Sequence, residues 1–208
     1  MDRRRLLRAA CCALLIALLA LALHAAATRI NPNDKQVVGD RLDELNGVAI
    51  YFNGGVNTTQ GRNLSADGYN LGLRYQCVEF VKRYYFQRFA HRMPDSYGHA
   101  QDFFDPALAD GAWNAKRALL QFSNGSATRP QADDLLVFRP WLFNRYGHVA
   151  IIAAVDASAV QIAQQNPGPY GSSREALPLA NRGGKWFIEH PRLLGWLRLA
   201  PREEVSGR

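Results

Sequence analysis

Cys77 follows a stretch rich in Gly, Asn, Thr and Ser and stands at the head of an amphipathic run. A thiol at the start of a helix meets unpaired backbone N–H groups and the positive end of the helix dipole, which favour the thiolate. The same donors can hold an oxyanion developing beside the sulfur. Such a nucleophile needs an imidazole within hydrogen-bond reach. Of the five histidines, His24 lies in the N-terminal apolar segment, and His91 and His99 lie in polar, loop-like surroundings. His190 precedes Pro191 in a turn. His148 follows Gly147 and opens the apolar run Val149-Ala150-Ile151-Ile152, where a polar residue at a strand mouth can face a helix start. By residue type alone, Cys77 also reads as a small buried hydrophobe and His148 as a surface residue at a strand end.

The elements that must position these two residues come in a clear order. Val37–Leu45 is expected to form a short helix and Gly47–Phe52 an extended segment, followed by a long surface loop over 53–72. The strongest helix is expected over Gln76–Ala90, where Val78, Val81, Tyr85 and Phe89 recur at three- and four-residue spacing. A second helix is expected over Ala100–Leu108, then irregular chain through Trp113–Phe122. From Pro130 onward short β-branched runs take over: Leu135–Phe138, His148–Val155, Ala159–Gln164, Phe187–Ile188 and Leu193–Leu199. Helices first and strands later imply an α+β domain on an antiparallel sheet.

The first 27 residues differ from the rest. A basic start, MDRRRLLR, precedes an uncharged apolar run from Ala9 to Leu23, then His24 and Ala25-Ala26-Ala27. This is the pattern of a signal peptide with a small-residue cleavage site, or of an N-terminal membrane anchor. Either way residues 28–208 are expected to leave the cytoplasm, to the periplasm or the outside, or to stay held at the inner membrane. Cys11 and Cys12 fall within this segment, so the exported part holds one cysteine and cannot close an internal disulfide. The net charge is +7, and the leader takes part of it, leaving 21 basic against 17 acidic side chains. That is a mildly basic surface without a nucleic-acid signature, so nucleic acid is not an expected partner. The expected division is a leader over 1–27, a linker and lead-in over 28–46, one domain over 47–199 and a polar tail over 200–208.

Tyr75-Gln76-Cys77-Val78-Glu79-Phe80 with its basic, aromatic helix resembles the nucleophile motif of CHAP domains, the cysteine, histidine-dependent amidohydrolases/peptidases. Four further pieces agree in order: Asn124-Gly125-Ser126, the turn and strand over Pro130–Phe138, Gly147–Ile152, and Ile162-Ala163-Gln164-Gln165-Asn166. Leu194-Gly195-Trp196 resembles the family's closing strand. Among CHAP domains the chain is similar to the amidase part of glutathionylspermidine synthetase/amidases, over roughly 47–197. The resemblance implies a papain-like α+β fold with N-terminal helices packed on an antiparallel sheet. It also implies a Cys77–His148 catalytic pair working without metal or cofactor.

One residue departs from the pattern the resemblance implies. Where these amidases place a glutamate to orient the histidine, this chain has Gln164, whose amide oxygen can accept the same bond without bringing charge. Asn166 is the alternative orienting residue, and Gln76 a candidate oxyanion donor. The expected substrate is an amide in a peptidoglycan peptide, from export, or in a glutathionylspermidine-type conjugate, from the resemblance. Only the hydrolytic half of that bifunctional enzyme is expected in this chain. The competing expectation is a catalytically decayed CHAP module that binds cell-wall peptides or a partner protein.

Overall fold

The computed structural model describes residues 3–201. Helix α1, Arg3–Arg29, includes a stretch, Leu6–Arg29, long and apolar enough by length and composition to cross a membrane. The domain proper starts with a hairpin of β1 (Arg41–Leu45) and β2 (Val48–Tyr51). A second small hairpin follows, β3 (Arg62–Leu64) with β4 (Asn70–Leu73), then helix α2 (Cys77–Phe89). The remaining strands are β5 (Ala112–Asn114), β6 (Leu119–Ser123), β7 (Leu135–Phe138) and β8 (His148–Val155). Then come β9 (Ala159–Ala163), β10 (Arg174–Arg182), β11 (Lys185–Ile188) and β12 (Leu193–Arg198). β5 to β12 form one sheet in the order β11-β10-β9-β8-β7-β12-β6-β5, antiparallel throughout. The expected α+β class with a helix on an antiparallel sheet stands.

The unbroken apolar run of β8 has a simple cause: both faces of the central strands are buried. Val149 and Ile151 point to the side covered by Phe80, Val81, Tyr84 and Tyr85 of α2. Ala150 and Ile152 point to the other, where Trp196, Leu177, Leu179 and Ile188 close a second core. Each large apolar side chain buried this way contributes about 1.5–3 kcal/mol. The helix stops at Ala90, which turns left-handed (φ 52°) and sends its N–H back to the Tyr85 carbonyl.

Several expectations are corrected. Val37–Leu45 is a turn and a strand, not a helix, because Asn46 and Gly47 both take positive φ and fold β1 back onto β2. The 53–72 stretch is a surface loop only in its middle: 59–62 and 66–68 are exposed, but Asn53, Gly54, Gly55, Asn70, Leu71 and Gly72 are buried and part of it forms the β3–β4 hairpin. The second helix shrinks to one 3₁₀ turn, Ala100–Phe103, since Pro106 disfavours helical geometry at Asp105. Trp113–Phe122 is not irregular but contributes to β5 and β6. Of the tail expected over 200–208, residues 202–208 lie outside the described residues.

Candidate active site

Cys77 is the first residue of α2 and is buried. Gln76 ahead of it is extended and offers the helix no side-chain cap, so the first-turn N–H groups stay free for the sulfur. The nearby backbone N–H groups of Val149, Val78 and Cys77 itself lower the thiol pKa. Burial is the larger effect and pushes the thiol up to about 11, so the expected stabilised resting thiolate gives way to a neutral thiol. The Val149 donor stitches the helix start to β8 one residue beyond His148.

His148 opens β8 directly after Gly147, whose φ of 77° turns the chain into the strand. A methyl group on Gly147 would lie 2.6 Å from the Phe138 carbonyl oxygen, so only glycine fits here. The imidazole Nε2 stands 2.8 Å from Oε1 of Gln164. The Gln164 amide is fixed the other way round by its N–H groups, which donate to the Ser172 carbonyl (3.1 Å) and to Oε2 of Glu175 (3.3 Å). Its oxygen must therefore face the ring, His148 carries its proton on Nε2, and Nδ1 keeps a lone pair. Burial above all, with Arg192 and His190 adding to it and the Gln164 bond opposing it, lowers the His148 pKa to about 4. Both members of the pair are thus neutral at rest. Among the described residues, ring and sulfur make no hydrogen bond to each other.

The two other supporting candidates do different work. Both amide N–H groups of Gln76 are engaged by the carbonyls of Val56 (3.2 Å) and Thr58 (2.6 Å). Its side chain therefore pins the 53–58 loop and has no N–H left over for an oxyanion. Asn166 donates to Oε1 of Gln76 (2.7 Å) and to the Val56 carbonyl (2.9 Å), not to His148. Between them, Gln165 reads as the residue that fixes the helix: its amide N–H groups reach the Gln76 carbonyl (3.0 Å) and Glu79 (2.9 Å). Glu79 in turn holds Arg83 in a buried ion pair at 2.6 Å. Glu175 and Gln165 escaped sequence reasoning. The alternation Glu175-Ala176-Leu177 was the available sign that a strand brings Glu175 back beside Gln164.

A cleft of about 670 Å³ opens over Cys77, with Gln76, Tyr97, His99 and Tyr146 among its walls. Leu21, His24, Ala25 and Thr28 of α1 form part of its rim. A buried thiol on a helix start, N–H donors around it and an oriented neutral imidazole at the neighbouring strand mouth are the parts acyl transfer to sulfur requires.

Residues 66–166 match the CHAP domain family. The CHAP match is confined to those residues, just under half of the chain. The matching region contains Cys77, His148, Gln164 and Asn166, and the family is one of amidohydrolases and peptidases. The chain is 32% identical over 147 residues to the bifunctional glutathionylspermidine synthetase/amidase of Escherichia coli (strain K12), covering 65% of this chain and 24% of that protein. It is 28% identical over 144 residues to the trypanothione synthetase of Crithidia fasciculata, covering 68% of this chain and 22% of that protein. The chain thus spans about a quarter of the length of these relatives. The wild-type endolysin LysIME-EF1 is a more distant likeness, with a TM-score of 0.36 and 22% identity over 72% of this chain and 63% of that one.

Proposed function

We propose that this CHAP domain is an exported cysteine amidohydrolase in which Cys77 attacks an amide carbonyl and His148 moves the protons. The reading rests on one observation: Cys77 heads α2 in the same core cluster as Val149, the residue after a His148 whose Nδ1 lone pair is set by the Gln164 contact at Nε2. The thiol proton passes to Nδ1 as sulfur bonds to the carbonyl carbon. The oxyanion is held by the backbone N–H groups around Cys77. Imidazolium then protonates the leaving nitrogen, the C–N bond breaks and a thioester remains. Water gives a proton to His148 and attacks the thioester, releasing the acid and restoring the thiol. Neither ion of the pair is favoured alone in this buried setting, so thiolate and imidazolium form together as each other's counterion.

Export is supported by α1, whose basic start and apolar body follow the pattern that keeps the N-terminus in the cytoplasm. Retention of α1 as an anchor is supported by how its end docks. The Thr28 carbonyl accepts the Asn57 N–H at 2.8 Å, and the Arg29 carbonyl accepts the Thr58 hydroxyl at 3.1 Å. Export favours a peptide amide of the cell wall as substrate, and the name of the Escherichia coli relative favours a glutathionylspermidine-type amide. Mass spectrometry of products from purified peptidoglycan and from glutathionylspermidine separates the two. Cys77→Ser is expected to abolish both products while the far-ultraviolet spectrum is unchanged, because a hydroxyl is far less acidic than a thiol. Activity within tenfold of wild type in that variant would overturn the mechanism.

A further inference from the structure

Trp141, Leu142 and Phe143, between β7 and β8, are 48%, 73% and 39% exposed. They are not a loose tip: Trp141 and Asn144 exchange backbone hydrogen bonds at 3.0 Å in both directions, and the Trp141 and Phe143 rings meet edge to face at 5.1 Å. The turn presents three large apolar side chains to solvent in a fixed arrangement. Around them the charge is basic, with the Arg192 guanidinium 4.9 Å over the Trp141 ring and Arg145 4.9 Å over Tyr146.

The turn also has a defined place relative to α1. The Phe143 ring stacks on His24 with centroids 6.0 Å apart, and Leu142 and Leu21 line the same cleft. From Leu6 to Leu23 the helix rises about 27 Å, close to the roughly 30 Å hydrocarbon thickness of a bilayer. His24 then sits at the polar boundary, and Phe143 beside it sits at the same depth. Aromatic rings at that level with guanidinium groups over them match the composition of a membrane interface.

We infer that the Trp141–Phe143 turn docks on the bilayer surface, so that the Cys77 cleft opens toward the membrane and takes amides carried on membrane-tethered molecules. The inference rests on the reading that α1 is retained as a span. Wall peptides far from the membrane and free soluble conjugates would then be poorer substrates than a peptide held at the membrane by a lipid.

The test uses the full chain in phosphatidylethanolamine–phosphatidylglycerol vesicles doped with lipids brominated near the headgroup end of the acyl chain. Bromine quenches only tryptophans that touch the bilayer. Of the four tryptophans, Trp196 is buried and Trp113 and Trp186 belong to the sheet. Wild type is expected to be quenched, and Trp141→Phe, a swap at an exposed site, is expected to lose most of the quenching. Quenching that is absent, or unchanged in Trp141→Phe, overturns the docking surface while leaving the anchor in place. Release of the chain by an alkaline wash overturns the anchor, and the docking surface with it.

Discussion

Nε2 of His148 and Oε1 of Gln164 stand 2.8 Å apart, and the amide cannot turn round, because its N–H groups are committed to Ser172 and Glu175. The consequence is chemical rather than architectural. A glutamate at this position would orient the ring and also stabilise its protonated form. Gln164 only orients it. The Glu175 carboxylate lies one side chain further out, where it accepts an N–H of the Gln164 amide.

Gln164→Ala is expected to free the ring to rotate and to lower kcat roughly tenfold, about 1.4 kcal/mol of barrier. Gln164→Glu is expected to raise the rate a few-fold, on the order of 1 kcal/mol, by strengthening the bond to imidazolium. The carboxylate also raises the His148 pKa, so the acid limb of the pH–rate profile, where the neutral base is lost to protonation, should move upward in Gln164→Glu. If both variants match wild type in rate and profile, Gln164 is not the orienting residue.

Glu175→Gln tests whether the outer carboxylate only holds the amide. The glutamine can still accept the Gln164 N–H through its own oxygen, so geometry should survive and kcat should fall less than in Gln164→Ala. A loss as large as that of Gln164→Ala would show that the Glu175 charge itself supports the imidazolium.

The pair was legible in the sequence because its surroundings are local. Cys77 begins α2 within one residue of the expected start, and His148 begins β8 where expected, since an apolar run bounded by Gly147 leaves little choice. The parts that stayed hidden depend on long-range pairing. β10 carries Pro178 and several charged residues, and it is a strand only because β9 and β11 flank it. The β1–β2 hairpin had a readable signal in Asn46-Gly47, overridden by the apolar spacing before it. The burial of Glu79, Lys82 and Arg83 was invisible, because charged residues on a helix normally mark its wet face. The neutral resting pair was hidden for the same reason, since depth of burial decides it.

Glu79 lies at the centre of the buried network that ties α2 to the segment after β9. Glu79→Ala leaves Arg83 buried without its partner and strips Gln165 and Asn63 of an acceptor. A loss of about 3–5 kcal/mol is expected, read as a lower urea midpoint at unchanged slope. A loss below about 1 kcal/mol, the range of exposed pairs, would mean the pair is solvated in solution.

Gly147→Ala should uncouple placement of His148 from the rest of the fold. The positive φ alone costs a non-glycine residue about 1–3 kcal/mol, and the contact with the Phe138 carbonyl forces the strand mouth to move. Activity should drop by far more than the fraction unfolded. A variant that is destabilised yet retains full kcat per folded molecule would show that His148 is positioned by β8 and Gln164 alone.

The two pKa displacements at the site also set limits on stability. His148 titrates near 4 when folded against an ordinary 6.5, so between those values the unfolded chain binds the extra proton and stability falls as pH drops. Cys77 titrates near 11 when folded against an ordinary 9.0, so between those values the unfolded chain has already lost its proton and stability falls as pH rises. Each contributes at most about 3 kcal/mol, and both are fully present only between the two ordinary values. Tyr84 and Tyr85, also raised by burial, steepen the alkaline side, and His91 and His190, lowered by burial, steepen the acid side. The Cys77 part is therefore isolated by difference. Urea unfolding of wild type and Cys77→Ser from neutral pH to about pH 11 should diverge, with the serine variant losing less stability, since its hydroxyl does not ionise in that range. Parallel curves for the two proteins would mean that the thiol is solvated, and the neutral resting pair would have to be given up with it.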